Sequence, residues 1–396
     1  MKKIFTIILF LCLLIITGCG KDNVDSAFKD LTKKINKLNG YSIEGKLNVK
    51  NNNNDYSYNV VVNYKAKDKY KVSLINTSNN HEQVILRNDD GVFVLTPSLN
   101  KSFKFQSDWP YNNSQVYILN SIIDDLNKDQ NIVKEEKDGK YIFKSKVNFP
   151  NNNKLVEQIV TVSKDLFIEK VEILNSDGVS EMIFEINSTD YNPTFDESFF
   201  EVNSIINTKS LEDNEINKEN KEDKNDNKSS ENSSEESKKE TCDIESNPNC
   251  KTETKPQSNS IKEYTVIPIT MTMNGDETKV ATLEDVVYPL YLPNGTVLKE
   301  QEKVEKTDGE RVILTFSGDK GFTLVEETAV KEKEFTIIPT YGEPGFINDT
   351  IGAITDNSLN WISNGVEYYM VSDVMNTIEL MDIANSINVS AVMSLK

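Results

Sequence analysis

Residue types that carry covalent or acid–base chemistry are sparse in this chain of 396 residues, which holds one histidine, His81, and four cysteines. A Ser-His-Asp or Cys-His nucleophile system needs an imidazole as its base. His81 stands in "SNNHEQVIL", where a loop gives way to a strand, and reads as a surface loop residue. No G-x-S-x-G elbow is present. Two Ser-x-x-Lys strings, Ser26 to Lys29 and Ser98 to Lys101, lack the S-D-N and K-T-G motifs that accompany such a string in penicillin-binding enzymes. Carboxylates are so plentiful that a glycosidase-type pair can be drawn anywhere, which singles out none. One histidine among scattered carboxylates does not have zinc-ligand spacing either. The reading is an absence of catalytic residues, metal and cofactor.

The thiols carry more. The chain opens "MKKIFTIILFLCLLIITGCG": Lys2 and Lys3, an apolar run from Ile4 to Ile16, then the small residues Thr17 and Gly18 before Cys19. That is the layout of a secretory signal peptide over residues 1–18. The run is shorter than the roughly 20 residues that span a bilayer. Ile16-Thr17-Gly18-Cys19 resembles the lipobox of bacterial lipoproteins, which implies a diacylglyceryl group on Cys19 and cleavage before it. Two acyl chains give stable anchoring where one does not. Cys19 is read as a tether to the outer face of the cell membrane, with residues 19–26 as the lipidated link. Cys242 and Cys250, in "TCDIESNPNC", either close a disulfide outside the cytoplasm or stand as two unpaired thiols.

The formal net charge is −19. Such a chain is repelled by phosphate backbones, which argues against nucleic-acid binding.

What must position any site is a chain of two parts. "DSAFKDLTKKINKLNGY" spaces Phe28, Leu31, Ile35 and Leu38 on one helix face, ended by Gly40. Alternating segments rich in Val, Ile, Tyr and Phe follow from Tyr41, with "NDDG" as a hairpin signal. A second helix carries Ile118, Leu119, Ile122, Ile123 and Leu126, with Asn113 or Ser114 as its cap. Strands then resume as far as residue 202. An antiparallel meander with helices against its concave face suits this order, because a bare sheet leaves one apolar side wet. Residues 203–262 hold almost no large apolar residue and read as a disordered linker. Residues 263–396 read as a smaller α+β domain, with strands at "EYTVIPITMTM", "ERVILTFSG", "GFTLVEETA" and "NGVEYYMVSD" and a helix bearing Ile378, Leu380, Met381, Ile383, Ala384 and Ile387.

The segment "DGVFVLTPSLNKSFKFQSDWPYNNSQVYILNSIIDDL", residues 90–126, resembles the LolA-like lipoproteins of spore-forming bacteria, the YdcC and GerS group. The resemblance extends over most of residues 27–202. It implies a LolA- or RseB-like half-open antiparallel β-barrel with helices packed over its mouth. "YPLYLPNGTVLKE" (288–300) and "LNWISNGVEYYMVSDVMNTIELMDIANSI" (359–387) resemble a domain of unknown function common in exported firmicute proteins.

One aromatic cluster, Phe93, Phe103, Phe105, Trp109, Tyr111 and Tyr117, is left to explain. Phe93, Leu95, Phe103, Phe105 and Trp109, with the helix residues Ile118, Ile122 and Leu126, either pack as core or line an apolar cavity or partner face. In "GVFVL" both strand faces are apolar, so that strand is expected to be covered on each side. The function expected is that of a non-enzymatic lipoprotein that binds an envelope protein, as adaptor or regulator of an envelope enzyme in sporulation, germination or envelope maintenance. The alternative is binding or transfer of lipid acyl chains.

Overall fold

The computed structural model describes residues 21–51, 54–206, 283 and 286–387. Cys19, Cys242, Cys250, the strand expected at 263–273 and most of the linker expected at 203–262 lie outside the described residues. The architecture is α+β, as expected: a large open sheet carrying helices, then a smaller sheet with one helix.

The first meander runs through β1 (Gly40–Asn51), β2 (Asn54–Lys65), β3 (Lys69–Asn76), β4 (Glu82–Asn88), β5 (Gly91–Thr96) and β6 (Lys101–Phe105). A second runs through β7 (Val133–Lys137), β8 (Lys140–Lys146), β9 (Leu155–Val162), β10 (Ile168–Asn175) and β11 (Ser180–Asp190). β11 returns to pair antiparallel with β1 and so joins the two meanders into one sheet. Period-two alternation sets each register: along β3, Tyr70, Val72 and Leu74 are buried while the residues between them are half-exposed. Asp138-Gly139 joins β7 to β8 with both residues at positive φ, the two-residue turn that matches strand twist. At Gly45 the register of β1 shifts against β11, and a Cβ there would lie 2.4 Å from the Glu185 carbonyl oxygen. Only glycine fits that bulge.

Helix α1 (Lys21–Asn36) begins within the stretch read as tether and ends before Leu38. Its buried residues Val24, Ala27, Leu31 and Ile35 share one core with Ile122, Ile123 and Leu126 of helix α2 (Leu119–Lys128) and with Ile43, Leu47, Phe143 and Val160 of the sheet. Burial of each large aliphatic side chain contributes about 1.5–3 kcal/mol. Neither Asn113 nor Ser114 caps α2: the N-cap residue is Ile118, with no side-chain cap. Ser114 is spent elsewhere, exchanging bonds of 2.8 and 2.7 Å with the Asn148 backbone.

The second sheet contains β12 (Val297–Lys306), β13 (Gly309–Ser317), β14 (Phe322–Thr328), β16 (Glu343–Ile347), β17 (Thr350–Ile354), β18 (Ser358–Ser363) and β19 (Val366–Val371), in the order β12-β13-β14-β19-β18-β17-β16. Leu314, Leu324, Leu359 and Met370 pack with Leu380, Ile383 and Ala384 of helix α3 (Thr377–Ala384). A capping box between Asn376 and Glu379 starts that helix.

One strand of this part leaves its own sheet. β15 (Thr336–Thr340) pairs parallel with β6 and becomes the twelfth strand of the first sheet. The two sheets belong to one compact unit.

Candidate functional site

Strands β4, β5 and β6 divide their side chains by strict alternation. Gln83, Ile85, Val94, Phe103 and Phe105 point to the face that the helices share, whereas Val84, Leu86, Phe93 and Leu95 point to the other. Phe200 and Ile205, from the segment after β11, cover that second face. Strand β5 is thus covered on both sides, as its sequence implied. The candidate set is split by the same alternation. Phe93 and Leu95 sit apart from Phe103, Phe105, Trp109, Ile118, Ile122 and Leu126.

Trp109 is buried edge-on against Tyr70, with ring centroids 6.1 Å apart, and its carbonyl accepts a 2.7 Å bond from Arg87 Nη1. Ile118, Ile122 and Leu126 are fully enclosed between α2 and the sheet. These side chains form the floor of the domain, and none of them is a wall of the cleft beside them.

The open space lies beside them, where the β16–β17 hairpin meets the first sheet. Ile347-Asn348-Asp349-Thr350 makes its tight turn, with Asn348 in the left-handed region. The hairpin inserts Phe346, Ile351 and Ala353 into the first core, with Phe346 centred 5.6 Å from the Tyr58 ring. Gln83, buried on β4, receives it: its Oε1 accepts from the Ile351 amide at 2.6 Å and from Thr350 Oγ1 at 2.8 Å, and its Nε2 donates to the Ile351 carbonyl at 3.0 Å. Asn51 donates to the side chains of Asn348 and Asn385. The buried Lys101 of β6 lies between Glu332 and Glu367.

Between hairpin and sheet is a cleft of about 90 Å³. Its apolar walls are Ile85, Val116, Tyr117, Phe149, Leu155 and Met182 from the first part, and Phe346, Ile354 and Met381 from the second. Asn113, Gln115, Asn151 and Asn152 contribute carboxamides to its lining, and no lysine or arginine is among the lining residues. Of the aromatic cluster read from sequence, only Tyr117 is a wall. Phe346 was missed, although the Asn-Asp turn that follows it is a hairpin signal.

His81 departs from its reading as a surface loop residue. It is half-buried in the loop before β4, and the Asp349 carboxylate of the hairpin turn lies near it. Burial lowers its pKa, while the nearby carboxylates of Asp349 and Glu82 act to raise it. Asp349 is pushed up by its own burial although Ser363 Oγ donates to it at 2.6 Å. The serine hydroxyl is thus bonded directly to the carboxylate, which is not the serine-to-histidine order of a nucleophile triad. Farther into the second core, Glu326 accepts from the Val287 amide at 3.0 Å, and burial pushes its carboxyl up to about 7.

No known family profile matches the chain. The sporulation protein YdcC of Bacillus subtilis is 31% identical over 388 residues, covering 97% of each chain. The chain belongs to the YdcC family. The shared length takes in both sheets and the segment between them. Among solved structures, the MucA/MucB complex of Pseudomonas aeruginosa matches at 10% identity and a TM-score of 0.27, over 91% of this chain and 98% of the other. The complex of the CwlD amidase of Clostridioides difficile with the GerS lipoprotein matches at 20% and 0.24, over 43% and 94%. TM-scores this low carry no assignment.

Proposed function

We propose that the protein is a membrane-anchored, extracytoplasmic lipoprotein that performs no catalysis and holds a protein partner, as adaptor or regulator of an envelope enzyme. The chemistry of the junction cleft carries this reading. Small-molecule pockets that bury a whole ligand run to roughly 300–1,000 Å³. A cleft of about 90 Å³ is far below that and suits one bulky apolar side chain. Its carboxamides are matched to a peptide backbone, which offers one donor and one acceptor per residue. A lipid headgroup phosphate would call for cations, which the lining does not supply. The name of the Bacillus subtilis relative supports a place in sporulation. Cys19 supplies the anchor, and α1 starts two residues later, which holds the first sheet close to the bilayer.

The test is recovery of a partner from envelope extract by the signal-free protein, alongside Met182→Trp, which fills the cleft from its half-buried wall. The native chain should retain one protein at a stoichiometric ratio and the variant should lose it, with thermal unfolding unchanged. Recovery of lipid without protein would replace this reading with the acyl-carrier one.

A further inference from the structure

A second cavity, which meets the junction cleft at Asn113 and Ser114, has a more polar lining. It holds about 150 Å³ between the loop after Trp109 and helix α2, and its lining includes Tyr111, Asn113, Asn120, Asp125, Lys128 and Asn148. Apart from Pro110 and the tyrosine rings, every side chain in the lining is polar.

Three observations define what would fit. Tyr111 presents a half-exposed ring that is held in place: its hydroxyl donates to Asp68 at 2.6 Å, lies 3.3 Å from the Tyr70 hydroxyl, and the Arg87 guanidinium sits 5.2 Å from the ring centroid. Asn113, Asn120 and Asn148 bring carboxamides to the lining, each able to donate and to accept. The ionisable residues of the lining, apart from the tyrosines, are Asp124, Asp125 and Lys128, an acidic balance that opposes phosphate, sulfate or a uronate. Burial pushes the Asp125 carboxyl up to about 6, even though Ser114 donates to it.

An acyl chain finds too little apolar wall here, and an anion finds the wrong sign of charge. An uncharged ring bearing many hydroxyls and one apolar face satisfies all three observations: the face lies on an aromatic ring while carboxamides and a carboxylate bond the hydroxyls. We infer that this cavity binds a neutral saccharide ring, with Tyr111 as the stacking platform and Asn120 and Asp125 as the hydrogen-bonding groups. Tyr111, Asn120 and Asp125 line this cavity and not the partner cleft, so either reading can fail without the other.

Calorimetric titration of the signal-free chain with chitotriose, maltotriose and inorganic phosphate tests it. Saturable millimolar binding of at least one trisaccharide is expected, with no phosphate binding. Tyr111→Phe should keep saturable binding, because the ring and the Arg87 guanidinium beside it remain although the hydroxyl's bonds are lost. Tyr111→Ala should weaken binding at least tenfold, about 1.4 kcal/mol, and Asn120→Ala should weaken it measurably, which guards against a folding defect in the tyrosine variant. No saturable heat with either sugar, or equal affinity in both alanine variants, would overturn the inference. Phosphate binding in competition with sugar would overturn it as well.

Discussion

Gln83 and Ile351, 268 positions apart in the chain, are joined by two buried hydrogen bonds, one in each direction. The carboxamide of one part reads the backbone of the other as a neighbouring strand would. No apolar side chain can replace it, because a backbone amide and carbonyl would be left buried and unpaired.

Gln83→Leu should therefore lower the unfolding free energy by about 2–6 kcal/mol, since each of the two orphaned groups costs about 1–3 kcal/mol. Urea denaturation checks this. A loss below 1 kcal/mol would mean that water reaches Ile351.

Cleavage between residues 207 and 282 should leave the two fragments associated, because β15 pairs with β6 and the Gln83 bonds do not depend on that connection. Gel filtration of the nicked protein should show one peak at the parent position. In Gln83→Leu the fragments should separate on dilution. Two peaks from the nicked native chain would show that the connection, and not the interface, holds the parts together.

Glu326 makes a prediction about pH. Burial raises its carboxyl to about 7 from an ordinary 4.5, so the folded state favours the neutral acid. The stability this contributes is complete below the unfolded value and is lost as pH rises through about 7, amounting to about 3 kcal/mol by linkage. Glu326→Gln should be the more heat-stable protein at pH 8 and should match the parent near pH 5. A difference in melting temperature that stays constant from pH 5 to 8 would exclude Glu326 as its source.

Ile122→Asp sets a carboxylate into the core between α2 and the sheet, where Ile122 is 1% exposed. An unpaired charge there costs several kcal/mol or detaches the helix. The variant should lose most of its cooperative unfolding transition by near-ultraviolet circular dichroism.

Local patterns were well written in the sequence. The unbroken apolar run of "GVFVL" announced a strand covered twice, the 118–126 stripe announced a buried helix, and "NDDG" announced the β4–β5 turn. Pairings between distant segments were not. Nothing near Thr336 says that it will lie beside Lys101, because β15 has half-exposed and exposed positions and no strong period of its own. The walls of the cleft failed to show for the same reason: they come from both parts, and Phe346 acquires its role only when the hairpin meets Tyr58. His81 does stand in the loop before β4, but its half-burial and the nearby Asp349 carboxylate were not legible, because Asp349 lies far along the chain.

The placement of β15 also constrains how the molecule assembles. Ribosomes add about 5–20 residues per second, so Phe105 at the end of β6 precedes Thr336 by roughly ten to fifty seconds. During that interval β6 is an open edge, and the apolar face of Ile85, Val94 and Phe105 lacks its hairpin. Unpaired edges of this kind recruit other strands. The nascent chain must therefore be shielded by a chaperone or kept unfolded until its last third arrives, and a stop codon placed before residue 336 should yield an aggregating product, not a smaller working one.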